Sequence, residues 1–230
     1  MGEWVQVTGK DGAFRAYVAR PAGAPKAAVV AIQEIFGVNA VMRHKADWLA
    51  SEGFLAIAPD LFWRLEKDVD ITDQTEAEWN KAFDLMKRFD AAKGVEDIQA
   101  TITYARGWID GGKVGAVGYC LGGLLAYLTA ARTDSDASVG YYGVNIPAFL
   151  GEAANIKTPL MLHIAGKDGF VPPDAQAQMK QGLSGNALVT LHDYPDRDHA
   201  FTREGGKNYD AGDARIADGR TIAFFKQHLG

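Results

Sequence analysis

The sequence contains one cysteine, Cys120, among its 230 residues. A single cysteine excludes a fold that is held together by disulfides within the chain. A lone cysteine with histidine and aspartate elsewhere is a recognised pattern for a reactive thiol in an intracellular enzyme. We therefore expect a cytoplasmic protein in a reducing compartment.

Long apolar runs and long runs of one charge are also missing. No stretch approaches the roughly 18 apolar residues of a membrane-spanning helix, and Met1-Gly2-Glu3-Trp4 lacks the basic start of a secretory leader. The 29 acidic and 24 basic residues give a net charge of −5 without a basic stripe, which argues against nucleic acid as a partner. No histidine or cysteine cluster has metal-ligand spacing, so we expect neither a metal nor another cofactor.

What the sequence does contain is an alternation of apolar runs and helical patterns. Uninterrupted apolar runs, typical of strands covered on both faces, occur at residues 27–32, 54–58, 114–117, 138–142, 160–165 and 188–191. Helical patterns occur at residues 39–51, 75–89, 95–108, 121–131, 173–182 and 209–228. This order predicts one α/β domain over residues 1–230, with a mainly parallel central sheet and helices on both faces.

The same reading places the candidate functional residues. Two β-prone runs around Lys10-Asp11-Gly12 predict a hairpin at an antiparallel edge of the sheet. Ligand sites in parallel sheets lie at the carboxyl ends of the strands. The residues that follow the apolar runs are therefore the candidates: Glu34, Pro59-Asp60, Cys120, Asp168 and His199. The polar residues 63–93 are interpreted as a partly mobile cover over that site.

The strongest motif is Gly118-Tyr119-Cys120-Leu121-Gly122-Gly123, which follows a strand and opens a helix. It matches the G-x-S-x-G nucleophile elbow with cysteine in place of serine. The glycines two residues before and after the cysteine are needed because side chains there would collide with neighbouring backbone. The start of the helix also favours a thiolate, since its free N–H groups stabilise negative charge.

This elbow predicts that an acidic residue and then a histidine follow the nucleophile along the chain, and Asp168 and His199 are in those positions. Asp168 would fix the imidazole tautomer, and His199 would move the proton. Asp198 is a rival orienting carboxylate, and Asp168 could instead cap the following helix. His163 lies in an apolar strand and is interpreted as a core residue, while His44, His192 and His228 look solvated or placed on helix faces.

The motif has two other interpretations. A lone cysteine is usually a small buried apolar residue, and only its glycine context reverses that expectation for Cys120. The glycines could also form a phosphate-binding loop. That interpretation is disfavoured because no Lys-Ser or Lys-Thr follows them and the G-x-G-x-x-G spacing is not met.

The elbow and three further blocks closely resemble the dienelactone hydrolase family, over nearly the whole chain and in family order. The further blocks are Gln33-Glu34-Ile35-Phe36-Gly37-Val38-Asn39, Gly140-Tyr141-Tyr142-Gly143 and His199-Ala200-Phe201. The resemblance implies an α/β-hydrolase fold and a carboxymethylenebutenolidase-type activity, which opens a lactone formed by catechol ring cleavage. Cys120, His199 and Asp168 match the family triad.

The resemblance also implies roles for residues around the triad. The glutamate that matches Glu34 contacts the resting thiol and promotes thiolate formation when it moves, although Glu34 could simply pair with an arginine such as Arg203. The backbone N–H groups of Ile35 and Leu121 match the oxyanion donors. Arg203 matches one of two arginines that clamp a substrate carboxylate, with a solvated surface arginine as the alternative.

The second arginine has no counterpart in residues 73–87, which leaves the substrate open. Phe36, Trp79, Tyr142 and Phe201 are expected to line an apolar pocket or to belong to the core. We expect a thiol acyl-enzyme hydrolase of small-molecule lactones or esters, as a monomer or alternatively a dimer. The alternatives are a broad esterase that acts on activated aryl esters or phosphotriesters, and a non-catalytic ligand-binding protein.

Overall fold

Eight strands form one sheet in the computed structural model, which describes residues 2–230. The strands are β1 (Glu3–Gly9), β2 (Gly12–Ala19), β3 (Ala28–Ile32), β4 (Leu55–Pro59), β5 (Val114–Tyr119), β6 (Ala137–Tyr141), β7 (Leu160–Ala165) and β8 (Val189–Tyr194). Their order across the sheet is β1-β2-β4-β3-β5-β6-β7-β8. All neighbouring pairs from β4 to β8 are parallel, while β1–β2 and β2–β4 are antiparallel. This arrangement confirms the predicted α/β-hydrolase fold.

Helices connect the parallel strands. They are α1 (Ala40–Ser51), α2 (Glu76–Arg88), α3 (Ala91–Arg106), α4 (Leu121–Arg132), α5 (Pro173–Leu183) and α6 (Ala211–Leu229), with a 3₁₀ helix at Ile146–Asn155. Within residues 2–230 no helix has both the length and the apolar character needed to cross a membrane.

The central strand β5 shows that helices cover both faces of the sheet. A side chain at Gly115 would meet Phe225 and Leu229 of α6, whereas one at Gly118 would meet the backbone of Gly122 in α4. Positions three residues apart on a strand point to opposite faces. Because both faces of β5 are therefore covered, every residue of the strand is buried, as its uninterrupted apolar run predicts.

The predicted hairpin is confirmed at the edge of the sheet. Gly9 pairs with Gly12, which leaves Lys10 and Asp11 as a two-residue turn between β1 and β2. The edge strand β1 is mostly exposed, in contrast to the fully buried β3, β4 and β5. β1 can leave one face exposed to solvent, because an antiparallel strand needs burial on one face only.

Three elements differ from the sequence prediction, and one of them is β8, which continues to Tyr194, three residues beyond the predicted run. Helix α3 begins at Ala91, four residues before the predicted start, because the Asp90 carboxylate caps it by accepting bonds from the N–H groups of Ala92 and Lys93. Gly94 does not break the helix; it leaves space for the ring of Phe89. The 3₁₀ helix at Ile146–Asn155 was not predicted.

The polar segment 63–93 is attached to the loop that follows β3. Asp70 forms an isolated bridge with Gly37, and the Asn39 side chain donates to the carbonyl of Ile71 at 2.9 Å. The second half of the segment is the helix α2. The structure thus places this cover beside the carboxyl end of β3, and its mobility stays a prediction.

The turn between β5 and α4 depends on two glycines. A Cβ at Gly118 would lie 1.9 Å from the carbonyl oxygen of Gly122, and a Cβ at Gly122 would lie 2.5 Å from that of Ile32. Both contacts are with backbone, which cannot move aside as the end of a flexible side chain can. The motif therefore requires glycine at both positions so that α4 can start against the end of β3.

We expect Gly122→Ala to lower the free energy of unfolding by about 2 kcal/mol, because the new methyl group overpacks a backbone contact. Gly219→Ala is the matched control: Gly219 also lies in a helix, and a Cβ at this position would meet nothing within 4 Å beyond its own turn of the helix. The control should raise stability by about 0.5–1 kcal/mol through helix propensity. Urea denaturation measures both, and a Gly122→Ala protein as stable as the control would contradict the packing argument.

Candidate active site

Cys120 lies at the point where β5 ends and α4 begins. Its backbone φ is 59°, a left-handed conformation that is uncommon for a residue with a side chain. The conformation is held from both sides, since the Cys120 N–H donates to Tyr141 at 3.1 Å and its carbonyl accepts from Gly123 at 2.9 Å. The residue is 6% exposed and its thiol is free. Strain maintained in this way is typical of functional positions.

Asp168 and His199 form a buried pair at the same edge of the sheet. Asp168 follows β7 and His199 follows β8, and the Asp168 Oδ2 lies 2.8 Å from the His199 Nδ1. The two side chains are 2% and 5% exposed. The carboxylate also accepts a bond from the N–H of Phe170 at 2.8 Å, so its position and that of the ring are fixed together.

The sequence left two alternatives open: Asp198 as the carboxylate that orients His199, and Asp168 as a helix cap. Asp198 does not reach the imidazole ring: its Oδ1 accepts bonds from the backbone N–H groups of Gly169 and His199. Asp168 does not cap α5, whose N-cap position is Pro172 without a side-chain bond. The structure thus brings Asp168, and not Asp198, to the His199 ring.

Two aromatic rings enclose the imidazole. Tyr142 and Phe170 each meet it edge to face, with centroids at 5.1 and 4.8 Å. Tyr142 is buried, and its hydroxyl lies 3.0 Å from that of Thr202. Phe170 is 51% exposed and lies 6.4 Å from Phe83 of α2, which is 43% exposed. The position of Phe170, in the loop after Asp168, was not singled out from the sequence.

The charge state of His199 depends on its two neighbours. Burial lowers the pKa of the imidazole, but Cys120 and the Asp168 carboxylate outweigh burial and raise that pKa to about 10. The Nε2 atom is buried and does not meet hydrogen-bond geometry with any group in the described chain. The His199 ring therefore lies beside Cys120, and its Nε2 has no other partner in the described chain.

A second charged cluster contains Glu34, Arg203 and Asp73. The Arg203 Nε lies 2.9 Å from the Glu34 Oε2, and its Nη1 lies 2.6 Å from the Asp73 Oδ2. Burial lowers the pKa of Arg203, but Glu34, Tyr142 and Asp73 together raise it above its usual value. Of the two contacts expected for Glu34, the structure shows the ion pair with Arg203, and Arg203 is a buried residue, not a solvated surface arginine.

No second arginine joins Arg203 in the part of the chain that the structure describes. Arg64 pairs with Asp97 and Asp11, and Arg88 pairs with Asp84 within α2. The region where the resemblance places another arginine instead contributes Asp73, a residue of opposite charge. Sequence reasoning missed Asp73 because its contact with Arg203 joins residues that are 130 positions apart.

The backbone groups of Ile35 and Leu121 lie in adjoining segments. Leu121 is the first residue of α4, and Ile35 belongs to the loop after β3 that α4 touches through Gly122. Neither N–H donates to another group within residues 2–230.

The expected pocket aromatics divide into two groups. Phe36 and Trp79 meet edge to face at 5.1 Å, and the Arg203 guanidinium lies 5.1 Å from the Phe36 ring centroid. Phe201 is fully buried against Tyr142 and Tyr194 and belongs to the core.

His163 is a buried core histidine, as interpreted from the sequence. Its ring nitrogens lie 2.9 Å from the hydroxyl of Tyr194 and 3.0 Å from that of Thr221, and burial lowers its pKa well below 6.5. In the described part of the chain no group of three or more histidine, cysteine or acidic side chains is placed to hold a metal ion.

Known proteins resemble the chain over almost its full length. The model of the dienelactone hydrolase family matches residues 14–229. A carboxymethylenebutenolidase of Pseudomonas putida is 40% identical over 224 residues, covering 96% of this chain and 95% of its own length. A protein of Azospirillum brasilense, provisionally named a carboxymethylenebutenolidase, is 51% identical over 225 residues and 96% of each chain.

Solved structures agree with this assignment. A protein of Klebsiella pneumoniae subsp. pneumoniae MGH 78578, provisionally described as a dienelactone hydrolase, superposes with a TM-score of 0.88 at 29% identity, over 99% of this chain and 98% of its own. A dienelactone hydrolase-like promiscuous phosphotriesterase from metagenomic libraries shares the fold, with a TM-score of 0.82 at 21% identity over 100% and 99% of the chains. The chain therefore belongs to the dienelactone hydrolase family and is a hydrolase.

Proposed function

We propose that this protein hydrolyses small-molecule lactones and esters of the dienelactone type through a thioester formed on Cys120. The observation that carries the proposal is the buried Asp168–His199 pair beside a cysteine held in the left-handed turn before α4. A nucleophile, a proton carrier and a group that orients the carrier are the parts that acyl transfer needs.

In the first half of the reaction, the Cys120 thiolate attacks the carbonyl carbon. The negative charge that develops on the carbonyl oxygen is stabilised by the N–H groups of Ile35 and Leu121, each contributing about 3 kcal/mol. The ring C–O bond then breaks, and the protonated His199 donates its proton to the leaving oxygen. An enol leaving group suits a thiol, because a poorer leaving group would be retained while the thiolate is expelled.

In the second half, water attacks the thioester. Acylation removes the thiolate charge that raises the pKa of His199, so the imidazole, which has given its proton to the leaving oxygen, stays neutral and can accept a proton from water. Asp168 keeps Nδ1 protonated and directs Nε2 toward the reacting atoms. Breakdown of the second tetrahedral intermediate releases the carboxylate and restores the thiolate.

Glu34 has a proposed role that depends on its partner. In this structure the carboxylate is held by Arg203. Release of this ion pair would free Glu34 to act as an additional base, beside His199, toward any Cys120 that is protonated.

A second candidate activity is hydrolysis of activated aryl esters or phosphotriesters by the same thiol. Two exposed aromatic rings favour it: Phe170, which lies beside His199, and Phe83, which lies next to Phe170. They offer stacking surface to an aryl leaving group. A similar fold occurs in the promiscuous phosphotriesterase described above.

We expect Cys120→Ala to lower kcat/KM for a dienelactone and for 4-nitrophenyl acetate by at least about a thousandfold, because the variant lacks the nucleophile. Steady-state kinetics measure this loss, and intact-mass spectrometry after acid quench should find the acyl adduct on the wild type only. A Cys120→Ala protein with full activity would exclude the thiol mechanism, and a wild type without turnover of either compound would favour a non-catalytic binding protein.

Thiol alkylation gives an independent control for that experiment. Cys120 is the one cysteine of the chain, so iodoacetamide inactivation can be assigned to this residue without mapping. Inactivation should follow the incorporation of one label per chain and should be slowed by substrate. Activity that survives complete labelling would contradict the proposal as directly as an active alanine variant.

We expect the His199 imidazole to stay protonated at pH 8 in the wild type, and its pKa to fall by more than about one unit in Cys120→Ala. The pKa should fall because the variant removes Cys120, which raises it, while burial still lowers it and Asp168 is unchanged. Nitrogen-15 NMR of labelled histidine measures the titration, with the His199 signals assigned by their loss in His199→Gln. Equal titration curves for wild type and Cys120→Ala would refute this charge coupling.

A further inference from the structure

Arg203 is shared by two carboxylates that come from different parts of the chain. Glu34 follows β3 and lies on the guanidinium Nε, while Asp73 precedes α2 and lies on Nη1. The side chains of Arg203, Glu34 and Asp73 are 8%, 4% and 13% exposed. The cluster therefore holds two negative charges and one positive charge in a place with little water.

Asp73 is fixed in this position by its own loop. Its carbonyl accepts a bond from the Trp79 indole at 2.9 Å, and the nearby Ile71 N–H donates to Phe36 at 3.2 Å. The Asn39 side chain binds the carbonyl of Ile71 as well. These contacts hold the backbone around Asp73 against the loop after β3, which keeps its carboxylate within reach of Arg203.

A negatively charged substrate would be repelled by the two carboxylates of this cluster. A carboxylate that approaches Arg203 must displace one resident carboxylate or become the third negative charge around one cation. Departure of Glu34 would free Nε and Nη2, but Asp73 would stay paired with Nη1 and keep its negative charge beside the newcomer. Like charges in a poorly hydrated site repel more strongly than they do in water.

We propose that Asp73 is a specificity-determining residue that directs the site toward substrates with an uncharged acyl group. It is paired with Nη1 of Arg203, the cation that would attract a substrate carboxylate, and it places a second negative charge next to that cation. The inference rests on the proposed ester-hydrolase function and narrows its substrate class to neutral lactones and esters. An uncharged acyl group can reach the thiol without opening the Glu34–Arg203–Asp73 cluster.

The test compares two esters that differ in one charge. Mono-4-nitrophenyl glutarate is anionic at its acyl end, and its methyl ester is neutral, while both release 4-nitrophenol. The measured quantity is the ratio of kcat/KM for the anionic ester to kcat/KM for the neutral one. Asp73→Asn should raise this ratio about tenfold, because it removes one like charge within a few ångströms of the substrate carboxylate.

Two control variants separate charge from structure. Asp70→Asn removes the same charge from the same loop, but Asp70 is bound to Arg43 and is 45% exposed, so the ratio should stay within about twofold of the wild type, as screening by water predicts. Asp73→Glu keeps the charge and should also keep the wild-type ratio. If Asp73→Asn lowers kcat/KM for both esters in parallel, or if Asp70→Asn shifts the ratio equally, Asp73 acts only through structure or general charge and the proposal is wrong.

Equilibrium binding distinguishes failure of this inference from failure of the proposed function. If the wild type hydrolyses neither ester, the proposed function is wrong for these substrates. Binding of glutarate, measured by isothermal titration calorimetry, still tests the role of Asp73 in that case. Asp73→Asn should bind glutarate about tenfold more tightly than the wild type and Asp70→Asn, and equal affinities for the three proteins would overturn the inference.

Discussion

The approach of α4 to the carboxyl ends of β3 and β6 fixes the geometry of the whole site. Gly122 lies against the backbone of Ile32, and the Cys120 N–H is bound by Tyr141 at the end of β6. Together these two contacts determine the left-handed turn at Cys120, the direction of the first N–H of α4 and the distance of that N–H from the loop after β3. A side chain at Gly122 would disturb the turn, the N–H direction and this distance together, because all three depend on the backbone at the start of α4.

The site contains two buried ionic clusters, and their charges are balanced differently. Asp168 and His199 form a pair of one acid and one base, whose stability depends on the proton that the imidazole carries. Arg203 cannot lose its proton, so its two carboxylates remain in competition for one cation. Burial of such groups is costly unless each is paired. In the proposed mechanism, the group that exchanges protons therefore lies in the first cluster, and the group that only attracts or repels charge lies in the second.

The sequence was sufficient for the parts of the site that follow strands. Cys120 is marked by its glycine spacing, and Asp168 and His199 are marked by positions just after apolar runs, because a parallel sheet brings those positions to one edge. The choice between Asp168 and Asp198 needed the structure, since both are acidic and near the histidine in space. Asp73 and Phe170 could not be predicted, because each reaches the site through a loop whose path depends on contacts with distant residues.

Residues of the site that follow strands are held more rigidly than those that lie in loops or in α2. Cys120, Asp168 and His199 are held by the sheet, where a small shift of one strand moves its neighbours and is resisted by the packed core. Asp73 and Phe83 belong to the segment over residues 63–93, which consists of loops and helix and contributes no strand to the sheet. Substitutions there can alter the charge and the aromatic surface offered to a substrate while the reacting groups keep their positions. In the proposed enzyme, the same thiol chemistry is therefore compatible with anionic lactones when residue 73 is not acidic, and with neutral esters when it is Asp73.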